Sequence, residues 1–308
     1  MKKQLCYEEF IEVVKEEVQN RVGQDYKVGT KQIVKNNNTI LQVLLVGRCD
    51  SNLQPAFYLE TYYQEYCDHL SMETVVEDLV DAIVREESQN KLGNIKFSFE
   101  AMVDKIVYRV VNYEKNEAFV NDSPHIRCMD DLVMLFYCVV EMNDSGVGSI
   151  RITNQHLKEF GITLEELHKI AVANTVRLFP KKIGTMEDII FGLMSDQEDD
   201  TDGRDDYEMD MAKGSGMYVF TNQSKLFGAG AILYPNVISK FAETLNSDLI
   251  ILPSSLHETI VLPYKDEVDL DQMRAMVREI NSTQVAAEEV LSDNVYVYER
   301  QVGEIRVA

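Results

Sequence analysis

Cations are scarce in this chain. Its 308 residues hold 30 Lys and Arg against 52 Asp and Glu, a formal net charge of −22. Binding along a nucleic-acid backbone draws on clustered cations that displace counter-ions, so this balance argues against a direct nucleic-acid binder. Long apolar runs are missing too. The longest strongly apolar stretch, 132–140, has nine residues, whereas a membrane helix needs about 20. No apolar h-region follows the opening MKKQLCYEEF, and acids begin at Glu8, so no secretory leader is expected. Cysteine is sparse and odd in number. Cys6, Cys49, Cys67, Cys128 and Cys138 are scattered, several of them within apolar runs. That pattern predicts buried reduced thiols rather than a disulfide framework, and with it a cytoplasmic protein.

What is present is an ordinary globular composition. At 45% hydrophobic and 27% charged, the chain can bury a sizeable core, and its length corresponds to about two domains. Tyr7, Phe10, Ile11, Val14 and Val18 recur at helical spacing, and Gly23 stops the helix. Two β-rich runs at 30–34 and 39–46 flank Asn36-Asn37-Asn38 and predict a hairpin. Ser71 is placed to cap a helix carrying Val75, Val76, Leu79 and Ile83. Ser98 is placed to cap another running from Phe99 to Val110. The run 132–142, turn chemistry at Asn143-Asp144-Ser145-Gly146 and alternation at 149–152 predict a second hairpin. Thr163 and Glu166 form a capping box, and the helix behind it ends before Pro180. A looser helix over 186–194 is also expected.

Later, 217–220, 229–234, 249–252 and 259–262 read as strands, with helices after Pro235 and after Asp269. Segments 295–298 and 304–307 read as a closing hairpin. The expected class is α+β (mixed α/β): an N-terminal helix and hairpin region, then a C-terminal mixed sheet with helices and one β-α-β unit, drawn through 229–234 and 249–252. The expected divisions are 1–148, a helical segment 149–194, an acidic mobile loop 195–214 and a C-terminal region 215–308. Between 196 and 210 stand nine acids and only Arg204, which predicts a solvated linker.

Motifs that would carry chemistry are mostly incomplete. No phosphate-binding loop occurs, and Gly228-Ala229-Gly230 completes no dinucleotide fingerprint; these read as turn or strand-edge glycines. No cofactor is expected. Glu198, Asp200 and Asp202 with Gly203 resemble the front of a calcium loop, but Met209 stands where the bidentate acid belongs. Asp200 and Asp202 therefore remain weak metal candidates. Cys67 with His69 and His125 with Cys128 have zinc-ligand chemistry without zinc-site spacing. His257-Glu258 begins a zincin motif that Val261 breaks. Glu165, Glu166 and His168 read as a solvated helix face, and Arg177 as a partner for its helix's C-terminal dipole. The fullest constellation is 253–258, where Ser254, Ser255, His257 and Glu258 share one loop between two strands. It holds the nucleophile, base and orienting acid of a hydrolase, but no nucleophile elbow. A polar turn whose side chains satisfy backbone groups accounts for the same residues.

The strings ITNQHLKEFGIT and ELHKIAVANTVRLFP within 152–180, YVFTNQSKLFGAGAILYP at 218–235, SDLIILPSSLHE at 247–258 and MVREINSTQVAAEEVLSDNVYVYER at 276–300 resemble an uncharacterised bacterial domain-of-unknown-function family. That family is encoded mostly by gut anaerobes, in part near mobile elements. The likeness covers nearly the whole chain and is densest after residue 150. It implies a bacterial cytoplasmic protein and transfers no catalytic residue. The resulting expectation is a non-enzymatic interaction module whose protein partner has a basic surface facing the acids. The alternatives are a hydrolase using Ser254 or Ser255 with His257 and Glu258, and an acidic mimic of nucleic acid.

Overall fold

A computed structural model describes residues 4–51, 54–68, 71–89, 97–143, 146–188, 216–265 and 267–308. They fall into two compact units, Met1–Phe97 and Ser98–Ala308.

In the first unit, α1 (Tyr7–Val22) buries Phe10, Val14 and Val18, four residues apart on one stripe. The backbone N–H of Cys6 donates to the Glu9 carboxylate at the helix start, and Gly23 ends the helix at φ 84°. β1 (Tyr26–Val34) and β2 (Ile40–Arg48) pair as the expected hairpin. Asn37 and Asn38 make its turn in left-handed conformations that asparagine tolerates. β3 (Ala56–Tyr58) completes a three-stranded antiparallel sheet, followed by α2 (Leu59–Asp68) and α3 (Met72–Gln89). Ser71 caps α3 through its Oγ, which accepts from the Thr74 N–H at 3.1 Å. Leu44, Val46, Phe57, Leu59, Val75, Val76, Leu79 and Ile83 close the core over the α1 stripe.

The second unit departs from expectation at its start. The helix read from Ser98 stops after α4 (Phe99–Met102) and one 3₁₀ turn, and 106–112 is instead strand β4 (Ile106–Asn112). The run Ile106-Val107-Tyr108-Arg109-Val110-Val111 fits a helical period, but its β-branched residues favour the pleated surface on which it is buried on both faces. α5 (Glu117–Asn121) and β5 (His125–Arg127) follow. β4 pairs with β6 (Leu132–Asn143), which also pairs with β5 and, through a bulge after Val139, with β7 (Gly146–Arg151). α6 (Asn154–Phe160) is capped by Thr153, and α7 (Leu164–Leu178) carries the expected cap, Thr163. α7 lies along the free edge of β4. The Tyr108 N–H donates to Thr175 Oγ1 at 3.0 Å, and Asn174 Nδ2 donates to the Ile106 carbonyl at 3.0 Å. Two buried polar side chains of a helix thus occupy edge groups that would otherwise template a further strand.

The remaining sheet has six antiparallel-paired strands, in the order β13 (Glu304–Val307), β12 (Tyr296–Glu299), β10 (Leu249–Leu252), β11 (Thr259–Pro263), β9 (Tyr218–Asn222), β8 (Lys181–Thr185). The expected strand at 229–234 is a buried 3₁₀ helix, Gly228–Leu233. It leads into α8 (Val237–Leu245), and the β-α-β unit is therefore β9-α8-β10. β9 and β10 run parallel, with β11 inserted antiparallel between them. α9 (Leu270–Thr283), capped by Asp269, similarly joins β11 to β12 across β10. Alternation along the strands turns Ile250 and Leu252 towards Val277 of α9, whereas Tyr218 and Phe220 meet Phe241 of α8 edge-on at 5.0 and 4.8 Å.

Of the five thiols, all free, Cys138 is buried and Cys128 partly so, but Cys6, Cys49 and Cys67 are exposed. The expectation of buried thiols thus fails for three positions, which lie at an element end or in a turn. Among the described residues no helix is long and apolar enough to cross a membrane.

Candidate functional site

The 253–258 loop leaves β10 and enters β11, and it is stitched on both sides. The Leu291 N–H donates to the Ser254 carbonyl, the Leu256 N–H to the Glu289 carbonyl, and the Ala229 N–H to the Leu256 carbonyl, at 2.9, 2.9 and 3.1 Å. Ser255 is 6% exposed, and its Oγ accepts the backbone N–H of His257 at 3.0 Å. The imidazole points elsewhere. Its Nδ1 accepts from the Phe227 N–H at 3.3 Å, which leaves the proton on Nε2, 3.3 Å from Glu289 Oε1. Ser254, Ser255, His257 and Glu258 share the loop, but neither serine hydroxyl bonds to the ring. The acid that orients the histidine is Glu289, from a segment the sequence did not bring to mind. The arrangement braces the 3₁₀ segment against the 286–292 turn.

A second constellation gathers at the other end of this segment. Asp131 stands just before β6, and its carboxylate accepts from Asn112 Nδ2 at 2.9 Å, from Ser292 Oγ at 2.8 Å and from the Tyr296 hydroxyl. Asn112 ends β4 at 4% exposure, Ser292 is fully buried, and the same Asn112 amide donates to the Leu291 carbonyl. Beside them Lys115 Nζ pairs with Asp293 at 3.2 Å, and Asn281 Nδ2 donates to the other Asp293 oxygen at 2.7 Å. Burial alone would raise the Asp293 pKa. The Asn281 amide and the Lys115 ammonium outweigh it and hold the carboxyl below its usual range. Arg127 stacks on Tyr113 at 4.2 Å.

These residues floor and rim a cleft of about 380 Å³ lined by Asn112, Tyr113, Glu114, Lys115, Arg127, Asp130, Asp131, Asp293 and Asn294. Four carboxylates face two cations there. Asp131 and Asp293 are committed within the wall, whereas Glu114 and Asp130 are exposed and, among the described residues, neither makes an ion pair or side-chain hydrogen bond. In the sequence, Asp130-Asp131 and Ser292-Asp293-Asn294 look like turn chemistry. Their only signal is that each pair or triplet immediately precedes a strand whose first residues are apolar.

The other sequence candidates sit apart. Asp200, Asp202 and the acids at 196–210 lie outside the described residues, as does His69. His125 bonds to the Ser123 carbonyl, and Cys128 to that of Leu132. Burial pushes the Cys128 thiol up to about 12. Among the described residues no three His, Cys, Asp or Glu side chains group to hold a metal ion. Glu166 is held by Thr163 in the capping box, a bond that lowers its pKa, and Glu165 pairs with Lys169. Arg177, read as a dipole partner, reaches the Asp104 carbonyl at 2.6 Å.

A family signature spans residues 7–300, that of a family of unknown function (DUF5688). The chain belongs to this family. No curated protein and no solved structure matches it. The DUF5688 signature covers both compact units, so the cleft and the braced loop are both parts of the family domain.

Proposed function

We propose that this DUF5688 protein is a non-enzymatic protein-binding module of the cytoplasm, and that its partner presents a basic surface. The observation that carries the reading is the cleft rim, where the exposed Glu114 and Asp130 carboxylates have no ion pair or side-chain hydrogen bond among the described residues. A lysine or arginine side chain from a partner would pair there with carboxylates that are open to approach. The acids at 196–210 add a second, longer-range attraction. Five free thiols support a reducing compartment. Catalysis by the 253–258 loop draws no support from geometry, because both imidazole nitrogens are spent on Phe227 and Glu289.

The test is titration of the full chain into a fluorescent nona-arginine peptide at 50 and 300 mM NaCl. The E114Q/D130N double variant is expected to bind about tenfold more weakly than wild type, the size of two lost charge contacts. A control pair on an exposed face of α1, E16Q/E17Q, should bind as wild type does. Equal losses in both pairs would reduce the effect to bulk charge. Unchanged binding in E114Q/D130N and in a chain lacking 196–210 would remove the basic partner altogether.

A further inference from the structure

Charged side chains buried in proteins are paired or bound to a ligand, because stripping water from a lone ion is costly. Arg109 is half-buried and still departs from that pattern. It sits in the middle of β4 between Tyr108 and Val110, opposite Leu135 of β6. Its guanidinium lies over the Phe227 ring at 3.6 Å and over the Tyr137 ring at 4.5 Å. Nη2 is sealed from solvent and has no acceptor. Among the described residues the side chain makes no ion pair, and burial pushes its pKa down to about 10, so it remains a cation at neutral pH. Two aromatic faces soften the desolvation of the guanidinium plane, but they leave its N–H edge unspent.

The cover over this group is held under tension. Phe227 has a left-handed φ of 54°, and Lys225 two residues earlier has 56°, a conformation that side chains with a Cβ adopt at a cost. The Phe227 N–H itself makes one long hydrogen bond, to His257 Nδ1 at 3.3 Å, while its neighbours are held by Lys225 N–H to the Asn222 carbonyl at 3.0 Å and Asn222 Nδ2 to the Leu226 carbonyl at 2.8 Å. Beneath it lies a gap of about 10 Å³, bordered by Arg109, Phe227, Asn222, Thr175 and Tyr234. That is the room of about one water molecule. Anything larger enters only if Phe227 gives way.

We propose that Arg109 is the anchor of an oxyanion-binding site, taking a carboxylate or phosphate group on its guanidinium edge as the Phe227 strap lifts. The site shares no residue with the acidic cleft and stands independently of the partner assigned to it. Arginine suits this role because its planar fork meets two oxygens at once, which a lysine ammonium does not. The neighbouring rings hold the fork in place, and Lys225, exposed on the strap, adds a cation on the approach.

Thermal unfolding of the full chain tests this at constant ionic strength, with sodium chloride exchanged stepwise for sodium phosphate or sodium acetate. A saturable rise in Tm with phosphate alone marks a phosphate site, and with acetate a carboxylate site. In Arg109→Leu the rise disappears, while the melting point in chloride does not fall, since an uncompensated ion has been removed. Absence of a saturable rise with either anion overturns the proposal, as does an equal rise in Arg109→Leu. If that variant fails to fold, Arg109→Lys decides. It keeps the charge without the fork, so half-saturation should shift at least tenfold upward, and an unchanged midpoint overturns the assignment.

Discussion

At the scale of single residues, the strongest coupling lies where charges are half-covered. Asp293 is held by an amide and an ammonium, and its carboxyl pKa is depressed in the folded chain. A carboxylate with a lowered folded pKa adds stability above its unfolded value, about 4. That contribution is lost as the pH falls through the lower folded value. Its side chain is 41% exposed, so solvent screening keeps the gain to about 1 kcal/mol. Asp293→Asn should therefore unfold about 1 kcal/mol more easily at pH 7, with the gap from wild type closing as the pH falls below the ordinary carboxylate value of about 4. Urea denaturation on both sides of that value measures it. A gap that persists undiminished in acid would mean that the loss comes from shape and not from charge. Nothing in the sequence distinguishes Asp293 from the other acids, because its partners Lys115 and Asn281 are 178 and 12 residues away.

At the scale of elements, the periodic signals were legible and the crowded ones were not. The α1 stripe, the Asn-centred hairpin, the Thr163 capping box and the Asp269 cap all rest on local chemistry, and each stands where the pattern put it. The two elements misread, 106–110 and 229–234, carry apolar residues on more than one side, so periodicity gives no clear face to choose by. Their form is decided by neighbours distant in sequence: β6 pairs the first, and the second is pinned under Tyr108, whose hydroxyl donates to the Gly230 carbonyl at 3.1 Å. The 3₁₀ segment leaves no room at its first residue. A Cβ on Gly228 would run into Thr221 Oγ1 and stand 2.5 Å from the His257 carbonyl oxygen and 2.8 Å from the Asn222 nitrogen. Two of those atoms belong to backbone and cannot rotate away. Gly228→Ala is thus expected to cost about 2–3 kcal/mol in urea unfolding with an unchanged m-value. A loss below about 0.5 kcal/mol would show that the loop relaxes freely. The same crowding explains why Ser254, Ser255 and His257 were legible as a cluster but not as a brace. Their residue types are visible in the sequence, whereas Phe227 and Glu289, which consume the imidazole, are 30 and 32 residues away.

At the scale of the whole molecule, self-repulsion from a net charge of −22 works against compaction, and only a sufficient apolar core holds each unit closed. The first unit has such a core. Phe10, Val14 and Val18 of α1 meet Leu44 and Val46 of β2 and Val75, Leu79 and Ile83 of α3, with Tyr63 and Tyr66 packed on Phe10 at 5.1 and 5.4 Å. Its sheet runs from β1 through β2 to β3, and among the described residues these strands pair with one another alone. Ninety-seven residues exceed the roughly 40 below which a domain needs disulfides or metals. A fragment ending at Phe97 should accordingly fold alone, with one cooperative urea transition and tyrosine near-UV dichroism that disappears in the same transition. A gradual loss of far-UV signal without near-UV structure would mean that the second unit supplies part of its stability. The single cluster that joins Phe10, Val14, Val18, Leu44, Leu59, Val75 and Leu79 argues for the cooperative outcome, because three helices and the sheet share it.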